Sequence, residues 1–410
     1  MSPLNTRPSS CCVVGGGPAG MMLGLLLARA GVTVQVLEKH ADFLRDFRGD
    51  TIHPSTMQVM YELGLLDRFL KLPHQEVREL AVQIGDATMR IADFTHLPTR
   101  CRFLAFMPQW DFLDFLAAEG ARYPTFSLKL RAEVTGLLVE DGRVVGVQAS
   151  TERGARTVRA DLVVAADGRD SVVRAQAGLP VEELGAPMDV LWFGLSRRPA
   201  DGGQTLGRFD SGQIFIMLDR GDYWQCGFVI PKGRYDEIRA IGLPAFRERI
   251  ARLAPIVREQ TNELRTWDDV KLLTVRVDRL SRWSRPGLLC IGDAAHAMSP
   301  IGGVGINLAV QDAVAAANIL AEPLRQGGVT IEHLGRVQKR REWPTRVTQR
   351  IQVVLQNRII APVLGASRPL TPPLTARLLN RIPLLRRIPA RLVGLGVRPE
   401  HATTAQAVAH

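Results

Sequence analysis

The run Gly15-Gly-Gly-Pro-Ala-Gly20 constrains this chain more than any other feature, because of what flanks it. Before it stands a short apolar run of buried-strand type, Cys11-Cys-Val-Val14. After it, residues 21–30 are rich in strong helix formers, Gly31 stops the helix, and residues 32–37 are rich in β-branched side chains. Strand, glycine turn, helix and strand in that order predict a βαβ unit with a parallel strand pair. Within it, G-x-G-x-x-G has a mechanical reading. Gly15 permits the tight turn, Gly17 lets the backbone approach a pyrophosphate, and Gly20 lets helix and strand pack closely, while the helix N-terminus faces the phosphate charge. Glu38 closes the second strand, where an acid accepts hydrogen bonds from a ribose.

The rest of the chain reads as an α/β protein interrupted by a sheet. Residues 54–70 look helical with Gly64 interrupting them, and residues 109–119 look helical again. Residues 128–166 are strand-like, with tight turns at Asp141-Gly142 and around Gly154, and end in a buried apolar run. The most strand-like stretch is 185–235, with runs at 191–193, 213–218 and 223–230, which predicts an antiparallel sheet inserted between two halves of a nucleotide-binding domain. Helices are expected over 244–253 and 307–320, and a buried strand over 288–291.

Two further motifs follow predicted buried strands. Asp161-Leu-Val-Val-Ala-Ala-Asp-Gly-Arg-Asp-Ser171 stops an apolar run at Asp167-Gly168. Later, Gly292-Asp293 and the glycines of Ser299-Pro-Ile-Gly-Gly-Val-Gly-Ile-Asn307 precede a helix whose first N–H groups lack intrahelical partners. A carboxylate beside such a helix N-terminus can hold a polyol and the electron-rich edge of a ring.

With these three motifs in order, the chain resembles the flavoprotein aromatic hydroxylases, the single-component FAD-dependent monooxygenases typified by para-hydroxybenzoate hydroxylase, over roughly residues 11–350. The resemblance implies a Rossmann-like FAD-binding domain from segments 8–75, 98–180 and 275–330. It also implies a mostly antiparallel β-sheet substrate domain from 76–97 and 181–274, and a basic helical C-terminal region from 331–410. Gly15, Gly17, Pro18, Ala19 and Gly20 would hold the FAD pyrophosphate, with Glu38 and Lys39 at the adenosine ribose. Asp293 would bind the ribityl chain, and Gly303, Gly305, Ile306 and Asn307 the pyrimidine end of the flavin. Asp167 resembles the family acid between FAD and the nicotinamide cofactor, Arg48 the arginine near the phosphates and NAD(P)H, and Gln109 a flavin-contacting glutamine; Val134 is a further cofactor contact. Pro300 resembles the proline beside the reacting edge of the flavin.

The implied reaction reduces FAD with NAD(P)H, adds O2 to form a C4a-hydroperoxide, and hydroxylates an aromatic ring. That intermediate needs an apolar, dry pocket. Trp192, Phe193, Phe215, Met217, Trp224 and Phe228 of the inserted sheet are the candidates, and His53 is a candidate polar group facing the substrate; His296 reads as a structural histidine. With four tyrosines in the chain and Ile214-Phe-Ile-Met-Leu218 on the matching strand, no carboxylate clamp is visible. A large apolar substrate is therefore expected, such as a polycyclic phenol, a quinone precursor or another natural-product ring. The alternative is a reductase or dehydrogenase on the same scaffold, of the geranylgeranyl-reductase type. A halogenase is disfavoured, since Trp224-Gln-Cys-Gly-Phe-Val-Ile-Pro231 only partly echoes the halogenase tryptophan motif.

Charge sharpens the picture of the C-terminal region. Residues 331–410 hold fourteen arginines and lysines against Glu332, Glu342 and Glu400, so they carry the whole net charge of +11. With no aromatic interleaving, a nucleic-acid partner is not expected. The alternation of arginine with leucine, isoleucine and proline fits short amphipathic helices. They could lie on an anionic membrane or pack on the body with arginines in water. Five cysteines without C-x-x-C spacing suggest neither a disulfide framework nor a metal site, and fit a cytoplasmic protein. Oligomeric state is not legible.

Overall fold

In a computed structural model, which describes residues 10–44, 51–198, 206–404 and 406, the glycine-turn unit sits at the centre of a six-stranded sheet. The strand Ser10–Val14 lies between Thr33–Leu37 and Leu162–Ala165, parallel to both. Phe126–Lys129 extends the sheet beyond Thr33–Leu37, and Leu288–Cys290 extends it beyond Leu162–Ala165, all parallel; Ser284–Arg285 closes that edge antiparallel. These strands are short and apolar because both faces are covered. The helix Pro18–Arg29, almost wholly buried, packs on one side against the long helix Gly305–Arg325. That second helix is apolar enough to cross a membrane by length and composition, yet it is buried in the core, where its alanines allow close approach.

Flanking this layer, Ala132–Glu140, Arg143–Thr151 and Gly154–Arg159 form an antiparallel meander. Its first turn has positive φ at both Asp141 (47°) and Gly142 (75°), as a two-residue hairpin requires. The anticipated helix over 54–70 is divided at Gly64, φ +72°, into Pro54–Glu62 and Leu66–Phe69.

The second layer is a seven-stranded sheet in the order Lys271–Leu273, Met188–Ser196, Tyr223–Pro231, Gln213–Asp219, Leu206–Asp210, Glu79–Ile84, Ala87–Asp93. All its pairs are antiparallel except Leu206–Asp210 with Glu79–Ile84. Alternation gives it two faces. One buries Leu191, Phe193, Phe215, Met217, Trp224 and Phe228 against Phe246 and Ile250 of the helix Leu243–Leu253. The other presents Val190, Trp192, Ile214 and Val229 to Ile301, Ile360 and Val363.

The chain ends in helices. Ile331–Leu355 packs along Gly305–Arg325, and then Leu374–Arg381 and Arg387–Gly394 fold back onto the edge strand Ala87–Asp93. The Asn380 side chain accepts from the Arg90 N–H at 3.1 Å.

Candidate active site

The site is assembled where three strands of the central sheet end. At Gly15, φ is +103°, and a Cβ would stand 2.4 Å from the Ala166 carbonyl oxygen. A Cβ on Gly20 would stand 2.0 Å from the Gly15 carbonyl oxygen, so neither position admits a side chain. Gly17 differs. It is the extended N-cap of Pro18–Arg29, no side chain caps that helix, and a Cβ there would meet nothing within 4 Å. The turn thus leaves open space directly in front of unpaired N–H groups, which fits a pyrophosphate.

Glu38 stands at the rim. Its Oε2 accepts from the Gly16 N–H at 2.8 Å, and its Oε1 from the His40 N–H at 3.0 Å, with His40 Nδ1 2.5 Å away. Burial pushes this carboxyl up, but the hydrogen bonds from the His40 ring and the Gly16 and His40 N–H groups prevail and hold it below the usual carboxylate range. Glu38 therefore ties the glycine turn to the second strand. Lys39 is exposed beside it. Val134 is buried in the meander, and Gln109 is half-buried at the first position of Gln109–Gly120.

Asp167 follows the third strand. One oxygen accepts from the Val173 N–H at 3.2 Å, while Oδ1 is buried with no hydrogen-bond partner among the described residues. Burial raises its pKa even though Ser171 and nearby N–H groups donate to it. A buried acceptor in want of a donor, set at the strand ends, fits the hydroxyl-rich cofactor the motifs imply. Asp293, one-third exposed, is held among the described residues by a long 3.4 Å contact with Arg169 alone.

Next to these lies the turn from Pro300 to Asn307, the segment expected at the flavin end. Pro300 precedes the helical turn Ile301–Gly303, and its carbonyl accepts the Gly303 N–H at 3.0 Å. Gly303 has φ +62° and a Thr51 hydroxyl 2.9 Å from where a Cβ would be. Gly305 opens the long helix with no side-chain cap and nothing near its missing Cβ. Ile306 and Asn307 are buried. The Asn307 amide oxygen accepts from Ser55 Oγ (2.7 Å) and Thr56 Oγ1 (3.0 Å), clamping the helix Pro54–Glu62 to this turn.

Several sequence expectations need correction. His53 does not face a substrate: it is fully buried between two backbone carbonyls, with Nδ1 2.7 Å from that of Val393 and Nε2 3.0 Å from that of Gly303, and its single N–H in the neutral ring donates to one of them. Burial lowers its pKa despite those two carbonyls. Phe215, Met217, Trp224 and Phe228, with Phe193, lie on the sheet face turned toward Leu243–Leu253, where they form an ordinary core. Of the aromatic set, only Trp192 lies on the face shared with Ile301. Arg48 falls outside the described residues.

That inner face has a pattern the sequence did not disclose. Cross-strand rows place Trp192, Gly227, Ile216 and Gly207 side by side, then Gly194, Gln225 and Leu218. The Trp192 indole lies over Gly227, 3.0 Å from where a Cβ would project, and its N–H is buried without a partner. Gln225 accepts from Arg220 Nε at 3.2 Å, and the Arg220 guanidinium lies over the Phe106 ring at 5.9 Å. In the sequence Arg220 sits in Asp219-Arg-Gly-Asp222 and reads as a surface hairpin.

Behind the site runs a buried ionic chain. Asp312 accepts from the Gly292 N–H (3.0 Å), lies 2.5 Å from His296 Nε2, and accepts from Arg341 Nε (3.0 Å). Arg341 in turn donates to Glu400 at 3.2 Å. Burial pushes the Asp312 carboxyl up, but His296 and Arg341 more than offset it and hold it below the ordinary range. His296 thus shapes the Gly292-Asp293 turn from within.

A family model described as FAD binding domain matches residues 9–351. The chain is 34% identical over 392 residues to the 6-methylpretetramide 4-monooxygenase of Streptomyces rimosus, covering 95% of this chain and 93% of that one. Among solved structures, p-nitrophenol 4-monooxygenase from Pseudomonas putida DLL-E4 is similar with a TM-score of 0.75 and 22% identity, covering 95% of this chain and 99% of that chain. The anhydrotetracycline hydroxylase of Streptomyces rimosus is similar with a TM-score of 0.71 and 22% identity, covering 96% and 77%. At that identity the two structures speak to the fold.

Proposed function

Since the chain belongs to the FAD-dependent aromatic monooxygenases that carry this FAD binding domain, we propose that it hydroxylates a large, flat, polycyclic phenol, with NAD(P)H as reductant. The observation that carries the substrate reading is the inner sheet face. Its rows pair aliphatic side chains with three glycines, Gly194, Gly207 and Gly227, under one indole, a low-relief apolar surface suited to fused rings. The relative named for 6-methylpretetramide supports the same class.

Gly15, Gly17 and Gly20 with the N-terminus of Pro18–Arg29 hold the pyrophosphate, Glu38 the ribose, Asp293 the ribityl chain, and the N-terminus of Gly305–Arg325 the pyrimidine edge. FAD, when bound, supplies the electron transfer from NAD(P)H to O2 and the oxygen transfer to the ring. The chain's own residues do the rest. Trp192, Ile216 and Leu218 exclude water from the reacting space, which suppresses unproductive loss of oxidising equivalents. The buried Trp192 N–H offers one directional donor to a ring oxygen, and Gln225 with Arg220 offers a polar end to the apolar floor. Asp167 places a carboxylate between the cofactor and the reductant's approach.

The test is oxygen uptake by the purified yellow protein with NADH or NADPH across phenols, naphthols and polycyclic phenols, with product mass measured. Substrate-stimulated uptake and a gain of one oxygen atom, strongest for fused rings, are expected. NAD(P)H-driven flavin reduction without oxygen-dependent product would instead establish the reductase alternative. Preference for single-ring phenols would refute the substrate reading alone. Trp192→Ala is expected to raise KM for the polycyclic substrate at least tenfold while FAD stays bound.

A further inference from the structure

The two C-terminal helices are packed inside out. In Leu374–Arg381 the buried residue is Ala376, and in Arg387–Gly394 the buried ones are Ala390 and Gly394. Facing outward are Leu374 (71% exposed), Leu384 (63%) and Ile388 (60%), with Leu378, Ile382 and Leu392 each at least 40% exposed. A helix that only covers a globular body buries its long aliphatics and exposes its small and polar residues. Here the spacing runs Leu374, Leu378, Ile382 and then Leu384, Ile388, Leu392, so each set lies along one side of a helix or its extension.

The charge that this stretch itself carries has one sign, although Asp93 of the neighbouring strand lies close enough to Arg387 to be held below the usual carboxylate range in part by it. Residues 374–394 contain five arginines and no acid. Arg386 is buried, donating to the Leu379 and Asn380 carbonyls and so fixing the turn between the helices. Arg377, Arg381, Arg387 and Arg391 are exposed, and none makes an ion pair among the described residues. We propose that the face bearing Leu374, Leu378, Leu384, Ile388 and Leu392, rimmed by these four arginines, docks on an anionic membrane surface.

The chemistry favours lipid over a second copy. Pairing this face with itself would bring eight guanidinium groups together with no carboxylate from residues 374–394 between them, and Asp93 beside Arg387 offsets only part of that charge. A bilayer answers both features at once: aliphatic side chains enter the acyl boundary and arginines reach lipid phosphates. The inner side of the same segment packs with Phe94, Leu97 and Phe106, and its Val393 carbonyl meets His53. The docked surface therefore backs onto the layer that packs against Phe106 and His53.

The experiment is gradient flotation of the full-length FAD-loaded protein with vesicles of phosphatidylcholine alone or of equal parts phosphatidylcholine and phosphatidylglycerol. Flotation is expected with the anionic vesicles, weakening as salt rises, and not with the neutral ones. Arg381→Ser is expected to weaken binding about fivefold. Leu384→Glu with Ile388→Glu is expected to abolish it while leaving FAD content and melting temperature unchanged, since neither side chain touches the site. Three results would overturn the proposal: no flotation with anionic vesicles, equal flotation of the double variant, or a concentration-dependent dimer that the double variant dissociates.

Discussion

Gly17→Ala separates folding from cofactor binding in a way no other glycine of the motif permits. The new Cβ meets no protein atom within 4 Å, and φ of −75° suits alanine, so the folded protein accommodates it without a clash. What it loses is N-cap preference, about 1 kcal/mol at most. In a chain of this size that lowers the melting temperature by no more than a few degrees. The cofactor meets a different situation. A phosphate oxygen held about 2.9 Å from a backbone N–H leaves little room for a methyl carbon, whose own contact distance is about 3.5 Å. Losing two charge-assisted hydrogen bonds at about 1.5 kcal/mol each removes about 3 kcal/mol, or roughly a hundredfold in affinity. The assay is FAD titration of the deflavinated protein by flavin fluorescence, alongside thermal melts without FAD. An FAD affinity within threefold of wild type would refute the placement of the pyrophosphate before Gly17. Gly20→Ala, whose Cβ would stand 2.0 Å from the Gly15 carbonyl oxygen, should impair the fold itself.

Asp293→Ala should purify with little FAD yet melt close to wild type without it, because the side chain holds only a long contact with Arg169. The expected loss is about 1.5–3 kcal/mol, and stoichiometric FAD would contradict the assignment. Asp167→Asn should change the pH dependence of the FAD-free protein. Burial raises the native pKa of Asp167, so ionisation penalises the folded state progressively as pH climbs from the ordinary carboxylate value through the raised one. The asparagine variant should therefore melt higher than wild type at neutral pH, with the gap closing below about pH 4, and equal melting at neutral pH would contradict this. Arg341→Met leaves Asp312 and Glu400 buried without their shared cation. A loss of about 3–5 kcal/mol is expected in chemical denaturation, and an unchanged midpoint would show the network to be dispensable.

What the sequence disclosed follows from where function acts through backbone and where through side chains. The placement of the glycine turn, Glu38, Asp167 and Asp293 at strand ends was legible because each follows an apolar strand run, and the strands pair in parallel about Ser10–Val14 as those runs imply. The substrate face was not legible. In 213–218 every residue but Gln213 is apolar, so periodicity gives no sign of which side faces the cofactor layer, and choosing by aromatic content selected Phe215 and Phe228. Bulk marks the permanent core against Phe246, whereas a face that must receive a ligand carries glycines and one covering indole. His53 failed for a related reason. An apolar-flanked histidine next to a helix start reads as a pocket residue, but its partners are carbonyls 250 and 340 residues away in the chain.

Those long-range partners connect the two ends of the molecule's logic. The turn from Pro300 to Asn307 is held by His53, Ser55 and Thr56, and the same short segment is gripped by the C-terminal strap, since Val393 meets His53 and the Gly394 carbonyl accepts from Ser55 at 3.1 Å. Glu400 meanwhile reaches Arg341 and, through it, the Asp312 carboxylate that fixes the Gly292-Asp293 turn. Both glycine turns proposed to face the cofactor are thus braced by residues 393–400, which lie beyond every recognisable motif. A segment that serves only as a basic tail has no need of buried contacts to two glycine turns. Its inward contacts brace the two turns, and its outward leucines and arginines are the surface on which the proposed membrane docking depends.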